Sequence, residues 1–294
     1  MKKFTIAGIG ELLWDVLPNE ETLGGAPVNF AYHINALGAI GIPISTIGDD
    51  DRGHKACEAL AGKGVKTSAI SVNQPYPTGY VDVLLNDAGI ASYRFPNDVA
   101  WDHLEINDVA RELQKELDAI CFGTLVQRSD QAQRVVQNYL SGLDSNTLKI
   151  YDVNLRQRFY SANVIEESLT QANIVKLNDE ELTILANLLN IGTEESTVLQ
   201  TLLNQFSLEM VILTRGADGS LLMTPRQVSE LRGAKTTVVD TIGAGDSFTA
   251  AVAIGYLQKR PLEDIHAKAD TLAAYVCSRR GAMVEVPTSL AMFG

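Results

Sequence analysis

"ANIVKLNDEELTILANLL" (residues 172–189) runs from a short apolar stretch straight into a helical pattern. The apolar part does not alternate and ends at a polar residue, which is how a strand buried on both faces reads. Similar stretches recur as "FTIAGIG" (4–10), "IPISTIG" (42–48), "DAICFG" (118–123), "LKIYDVN" (148–154) and "MVILTRG" (210–216). Helical patterns such as "SDQAQRVVQNYLSGL" (129–143) lie between them. Strand–helix alternation of this kind predicts an α/β fold, a doubly wound, mostly parallel sheet flanked by helices. Its 294 residues fit one large domain over 1–294. Ligands of such sheets bind beyond the carboxyl ends of the strands. The residues closing the runs are therefore candidates: Asp49, Asp152, Asn154, Lys176, Asn178, Thr214, Arg215 and Asp240.

One region breaks the alternation. "TGYVDVLLNDAGIASYRF" (78–95) holds two alternating strands around "NDAG", a hairpin signal. With "ELLWDVLP" (11–18) it predicts a small antiparallel β sheet outside the main layer. Gly24, Gly25, Pro75 and Pro77 flank it, as suits a lid over a site; an inert edge decoration is the other reading.

The charge balance is −12 with an isoelectric point near 4.8, so the surface repels nucleic acid and anionic lipid. A local cluster of amides can still bind a small anion. Cys57, Cys121 and Cys277 are widely spaced and odd in number, which supports neither a disulfide framework nor a zinc site. Glu11 and Asp15 interrupt the first apolar run before it resembles a signal peptide, and no window approaches a membrane span. A cytoplasmic protein is the expectation.

Two nucleotide fingerprints fail. GxGxxG after the first strand would need glycine where Leu13 stands, and no GxxxxGK[ST] string occurs. "DTIGAGDSFTAAVAIGYLQ" (240–258) offers another anion site. Its apolar part reads as a buried helix that begins at Gly243-Ala244-Gly245, where free N–H groups and the positive dipole end favour an anion. Asp246 could be a helix-start residue that satisfies amides. The small-residue run argues for more, since a cap does not require it. A carboxylate beside a phosphate site can take the proton of a hydroxyl that attacks a γ-phosphoryl group.

These motifs carry a resemblance. "DTIGAGD" (240–246) is similar to the C-terminal signature of the ribokinase-like (PfkB) carbohydrate kinases at every specified position. "LGGAPVNFAYHINALG" (23–38) resembles their N-terminal signature, "KLNDEEL" (176–182) their NxxE element, and "TRGADG" (214–219) a further strand end of the family. The resemblance implies ATP-dependent phosphorylation of a sugar, with Asp246 as catalytic base and Gly243, Ala244 and Gly245 as the anion hole. It implies sugar contacts from Asp15, Gly25 and Asn29, and it offers Arg94 and Arg156 as further substrate contacts. Asn178 and Glu181 would organise Mg²⁺–ATP through waters; their local alternative is a capping box. Thr214, Gly216 and Gly219 would lie beside the nucleotide.

"GGAPVN" and "DVNLRQRFY" (152–160) resemble bacterial fructokinases, so fructose is the expected substrate. A kinase for 2-keto-3-deoxygluconate, ribose or a nucleoside is the rival within the class, and a catalytically silent sugar sensor the rival outside it. Many members hold K⁺ between two loops. Here Asp240, with the carbonyls of Ile242, Val276 and Gly281, would be the ligands. Glu285 stands where a small polar residue is common, and it could either ligate the cation or replace it. Family lids often pair into homodimers, and "YVDVLL" (80–85) offers a strand for that.

Overall fold

The apolar runs fold as strands of one large sheet. The computed structural model describes residues 3–17, 20–85, 91–233 and 236–291. The chain begins β1 (Thr5–Ile9), β2 (Leu13–Leu17), β3 (Glu20–Gly24), α1 (Ala26–Ala36), β4 (Ile40–Gly48), α2 (Asp51–Gly62) and β5 (Ile70–Asn73). β6 (Gly79–Leu85), β7 (Ala91–Arg94), α3 (Asp108–Leu113), β8 (Ala119–Gly123), α4 (Asp130–Ser141), β9 (Leu148–Asp152) and α5 (Ala162–Gln171) follow. It continues with β10 (Ile174–Asn178), α6 (Asp179–Leu189), α7 (Glu195–Gln205), β11 (Met210–Thr214), β12 (Ser220–Met223) and β13 (Val228–Leu231). α8 (Ala244–Leu257) and α9 (Leu262–Cys277) close the order.

The large sheet has the order β13-β12-β11-β10-β9-β8-β1-β4-β5. From β11 to β5 every pairing is parallel, and β12 and β13 add an antiparallel edge. Successive side chains of a strand point to opposite faces, and here both faces are covered. Ile9, Phe122, Tyr151, Val175 and Leu213 pack in one core with α4, α5, α6 and α7. Ile6, Cys121, Ile150, Ile174 and Ile212 pack in the other with α1, α8 and α9. That two-sided burial explains why the runs lack alternation. β4 and β8 leave β1 on opposite sides, so the chain reverses direction across the sheet at β1, where open α/β sheets bind ligands.

The small sheet has the order β3-β2-β6-β7. Its outer pairs are antiparallel and its middle pair, β2 with β6, is parallel. The "NDAG" turn lies outside the described residues. β3 carries no apolar alternation ("EETLG") and escaped the sequence reading.

Arg128 anchors the segment that leaves this sheet. Its guanidinium donates to both carboxylate oxygens of Asp102 at 2.6 Å and to the Pro96 carbonyl, and it lies over the Trp101 and Phe159 rings. Both charged side chains are at least nine-tenths buried. Removing one partner of such a pair strands the other charge. Arg128→Met should therefore lower stability by about 3–5 kcal/mol in urea unfolding. Adding Asp102→Asn should recover part of it; a loss below about 1 kcal/mol would mean the pair is effectively solvated.

Candidate active site

α8 begins at a left-handed residue, Gly243 (φ 79°). A Cβ there would lie 2.7 Å from the Ala282 Cα and 2.8 Å from its carbonyl oxygen, so glycine meets both a conformational and a spatial demand. The first helical bond runs from the Ser247 N–H to the Gly243 carbonyl, 2.9 Å. The preceding amides of the first turn have no acceptor four residues back, and the positive end of the helix dipole lies with them. The helix behind is buried from Ser247 to Gly255, which fixes this turn against the sheet.

Asp246 sits in that first turn and accepts a 2.8 Å hydrogen bond from the Asn29 side-chain amide, across 217 residues of chain. Asn29 is buried on α1, and its carbonyl oxygen Oδ1 has no partner among the described residues. Burial pushes the Asp246 carboxyl up to about 6, and the neighbouring Asp152 carboxylate adds to the rise. The Asn29 bond, Lys176 and Arg156 oppose it.

α1 begins at Gly25 (φ 113°), where a Cβ would strike the Glu11 carbonyl at 2.3 Å. Asp15 on β2 faces Thr22 on β3, and its Oδ2 lies over Gly24, where a Cβ would come within 3.1 Å. Partial burial raises the Asp15 carboxyl, against the pull of Arg156. Glu11 is buried near the start of α1, where the Ala26 N–H acts to lower its proton affinity. Burial raises its carboxyl to about 7, with Asp246 adding and Arg156 opposing. Its Oε2 has no partner among the described residues. Arg156 is exposed and donates to the Leu155 carbonyl, and its charge acts to lower the proton affinity of Glu11, Asp15 and Asp246.

Lys176 and Asp152 are register partners on β10 and β9. The Lys176 ammonium donates to both oxygens of Asp152, 3.0 and 3.2 Å, with both residues buried. Asn178 and Glu181 form a capping box at the start of α6: Asn178 Oδ1 accepts the Glu181 N–H (2.8 Å) and Glu181 Oε2 the Asn178 N–H (2.9 Å). Glu181 Oε1 accepts the Leu155 N–H, so both carboxylate oxygens already carry a bond. Thr214 stands beside Asn178 in the β10–β11 register. Gly216 (φ 54°) is open to its surroundings, whereas a Cβ on Gly219 would overlap the Leu231 carbonyl at 2.0 Å. Gly219 is therefore required by β13.

Asp240 clasps two loops. Its oxygens accept the N–H groups of Ile242 (3.0 Å) and Gly281 (2.9 Å). The Val276 carbonyl accepts the Arg279 N–H, and the Glu285 carbonyl accepts the Tyr275 hydroxyl, with the Glu285 side chain exposed. Asp240 so employed joins the entry of α8 to the exit of α9, the two segments named for a cation.

Asn29 meets Asp246, and Gly25 and Asp15 stand near them beside Glu11 and Gly24, whereas Arg156 reaches the group only through its charge. Arg94 is exposed, and its two hydrogen bonds go to Asp82 across the β6–β7 pair. Glu11 and the Asp152–Lys176 pair belong to the same constellation. Lys176 and Asp152 carried a signal as polar residues closing adjacent strands; Glu11 looked like mere punctuation after β1. Among the described residues no three His, Cys, Asp or Glu side chains converge as a metal cage.

The reversal of the sheet at β1, a helix that starts at glycine and a carboxylate of raised proton affinity together mark the candidate site. Residues 10–289 match the profile of the pfkB family carbohydrate kinases, and the chain belongs to that family of sugar kinases. The uncharacterized sugar kinase PH1459 of Pyrococcus horikoshii is 30% identical over 296 residues, covering 94% of this chain and 91% of that protein. Its complex with ATP superposes with a TM-score of 0.83 over 95% and 94% of the two chains, at 28% identity. The Escherichia coli fructokinase is 25% identical over 300 residues, 95% of each chain. A Xylella fastidiosa fructokinase with bound ATP reaches a TM-score of 0.86 over 99% and 98% of the chains, a likeness of fold at 22% identity. Among the described residues no helix is long and apolar enough to cross a membrane.

Proposed function

We propose that this sugar kinase transfers the γ-phosphoryl group of ATP to a primary hydroxyl of fructose. The observation that carries the chemistry is Asp246: a carboxylate of raised proton affinity in the first turn of α8, aimed by Asn29. Asp246 accepts the hydroxyl proton as the sugar oxygen bonds to phosphorus and the bond to the leaving ADP oxygen breaks. The Gly243–Asp246 turn faces the charge on the transferred group. Mg²⁺ would be held through water by the Asn178–Glu181 region and would supply charge neutralisation along the phosphates. Asp15, Gly25 and Asn29 orient the sugar, and Arg156 tempers the surrounding acids. The small sheet closes over the sugar, and closure excludes water.

Fructose rests on the "GGAPVN" and "DVNLR" segments and on the fructokinases among the relatives. The Arg156 charge acting on three carboxyl groups favours one second reading, a sugar acid such as 2-keto-3-deoxygluconate. ADP release over a panel of both sugars, ribose and nucleosides, with and without K⁺, decides between them. Fructose should give a kcat/KM at least tenfold above the others. A better sugar acid overturns the choice of fructose, and no ADP release with any substrate revives the sugar-sensor reading.

A further inference from the structure

We propose that Lys176 is a catalytic residue whose ammonium contacts the phosphoryl group in transfer, and that Asp152 is the residue that positions it. This rests on the kinase reading above and assigns a role that the glycine turn and Asp246 leave open.

The geometry is set by the sheet. β9 and β10 run parallel in a register that puts Asp152 and Lys176 side by side at their carboxyl ends. The bidentate contact, 3.0 and 3.2 Å, occupies the ammonium from one side. On another side lies the α8 turn: a Cβ on Gly245 would sit 2.9 Å from Nζ and 3.6 Å from Cε of Lys176. The ammonium is thus held against the backbone of the anion-binding turn. Glycine at 245 keeps the room between them clear. An ammonium has three protons, and the Asp152 bonds leave one for a ligand entering that turn.

The charges point the same way. The Lys176 ammonium is paired with Asp152 through both carboxylate oxygens, and Glu181 and Asp246 act on it from beyond that pair. Around it stand three carboxylates, an arrangement that repels an incoming triphosphate unless a cation faces it. A buried ion pair is seldom the most stabilising way to fill such a space. That makes a purely structural pair a poor account of this one.

An ammonium directed at the transferred group distinguishes nucleotides with and without a γ-phosphoryl group. The test titrates the wild type, K176M, K176R and the double variant D152N/K176M with Mg²⁺ and either AMP-PNP or ADP, by calorimetry. K176M should weaken AMP-PNP at least tenfold and ADP less than threefold, and should lower kcat by about 100-fold; K176R should recover part of both. If K176M leaves Asp152 uncompensated and fails to fold, D152N/K176M, which carries neither charge, gives the same readout. D152N alone should reduce kcat while lessening the preference for AMP-PNP over ADP. An AMP-PNP to ADP preference within threefold of wild type in a folded Lys176 variant overturns the proposal. Wild type that binds both nucleotides but phosphorylates no sugar overturns the sugar-kinase reading and leaves this binding test intact.

Discussion

Asp246→Asn should lower kcat by about 10³-fold while leaving nucleotide affinity within a few-fold of wild type. Asparagine keeps the size and can still meet the Asn29 amide, but it cannot hold the hydroxyl proton. A positioned base contributes about 10²–10⁴-fold. In the wild type the carboxyl titrates near 6, and only its ionised form accepts the proton. kcat/KM should therefore fall about tenfold per unit as pH drops below that value, and level off above it. The same shift has a second readout. The folded group holds a proton between its unfolded value of 3.8 and about 6, where the unfolded chain has released it. Stability from this group is therefore lost as pH rises through that window, and at pH 7 the carboxylate opposes folding by on the order of 1–3 kcal/mol. D246N should melt higher than wild type at pH 7, by about 2–4 °C for each kcal/mol relieved. Retention of more than a tenth of wild-type turnover would overturn the assignment of Asp246 as base.

Gly243→Ala should act on the same chemistry with the opposite effect on stability. Alanine must adopt φ near 79° and place its Cβ within 2.8 Å of three atoms of Ala282. A non-glycine residue forced into such a conformation costs about 1–3 kcal/mol, and the overlap displaces the first turn of α8. Losing one well-aimed donor to developing charge lowers turnover by about 10²–10³-fold. G243A should therefore lose kcat in that range and melt below wild type, whereas D246N melts above it. Turnover within fivefold of wild type would show that the turn is not the anion hole.

The main sheet was legible because its strands are buried on both faces, so apolar runs such as "MVILT" announce themselves without help from partners. The edge strands were not. β3 is short and polar because it lies on the rim of the small sheet, and its pairing with β2 is written in tertiary contacts. The α8 turn was readable as a helix start from its run of small residues, whereas the demand for glycine at 243, a left-handed φ and room beside Ala282, is written in the tertiary structure. Asn178 and Glu181 show the limit of that logic: their spacing fits both a capping box and a ligand site, and the structure displays the box. Glu11 is the clearest miss. Its role comes from the start of α1 and from Asp246, far away in sequence, and nothing beside it in the chain hints at either. Lys176 and Asp152 fall between these cases, since strand ends are predictable but their register is not.

The contact between Asn29 and Asp246 joins the first helix to the last but one, 217 residues later. Synthesis at about 5–20 residues per second separates their appearance by roughly 10–40 s. Throughout that interval the Asn29 amide lacks its carboxylate partner, and the first helix lacks the helix it packs on. Turnover is thus a late event in the molecule's own history. A refolding experiment that follows activity should trail one that follows helix formation, because the Asn29–Asp246 contact closes a long loop whereas helices form locally.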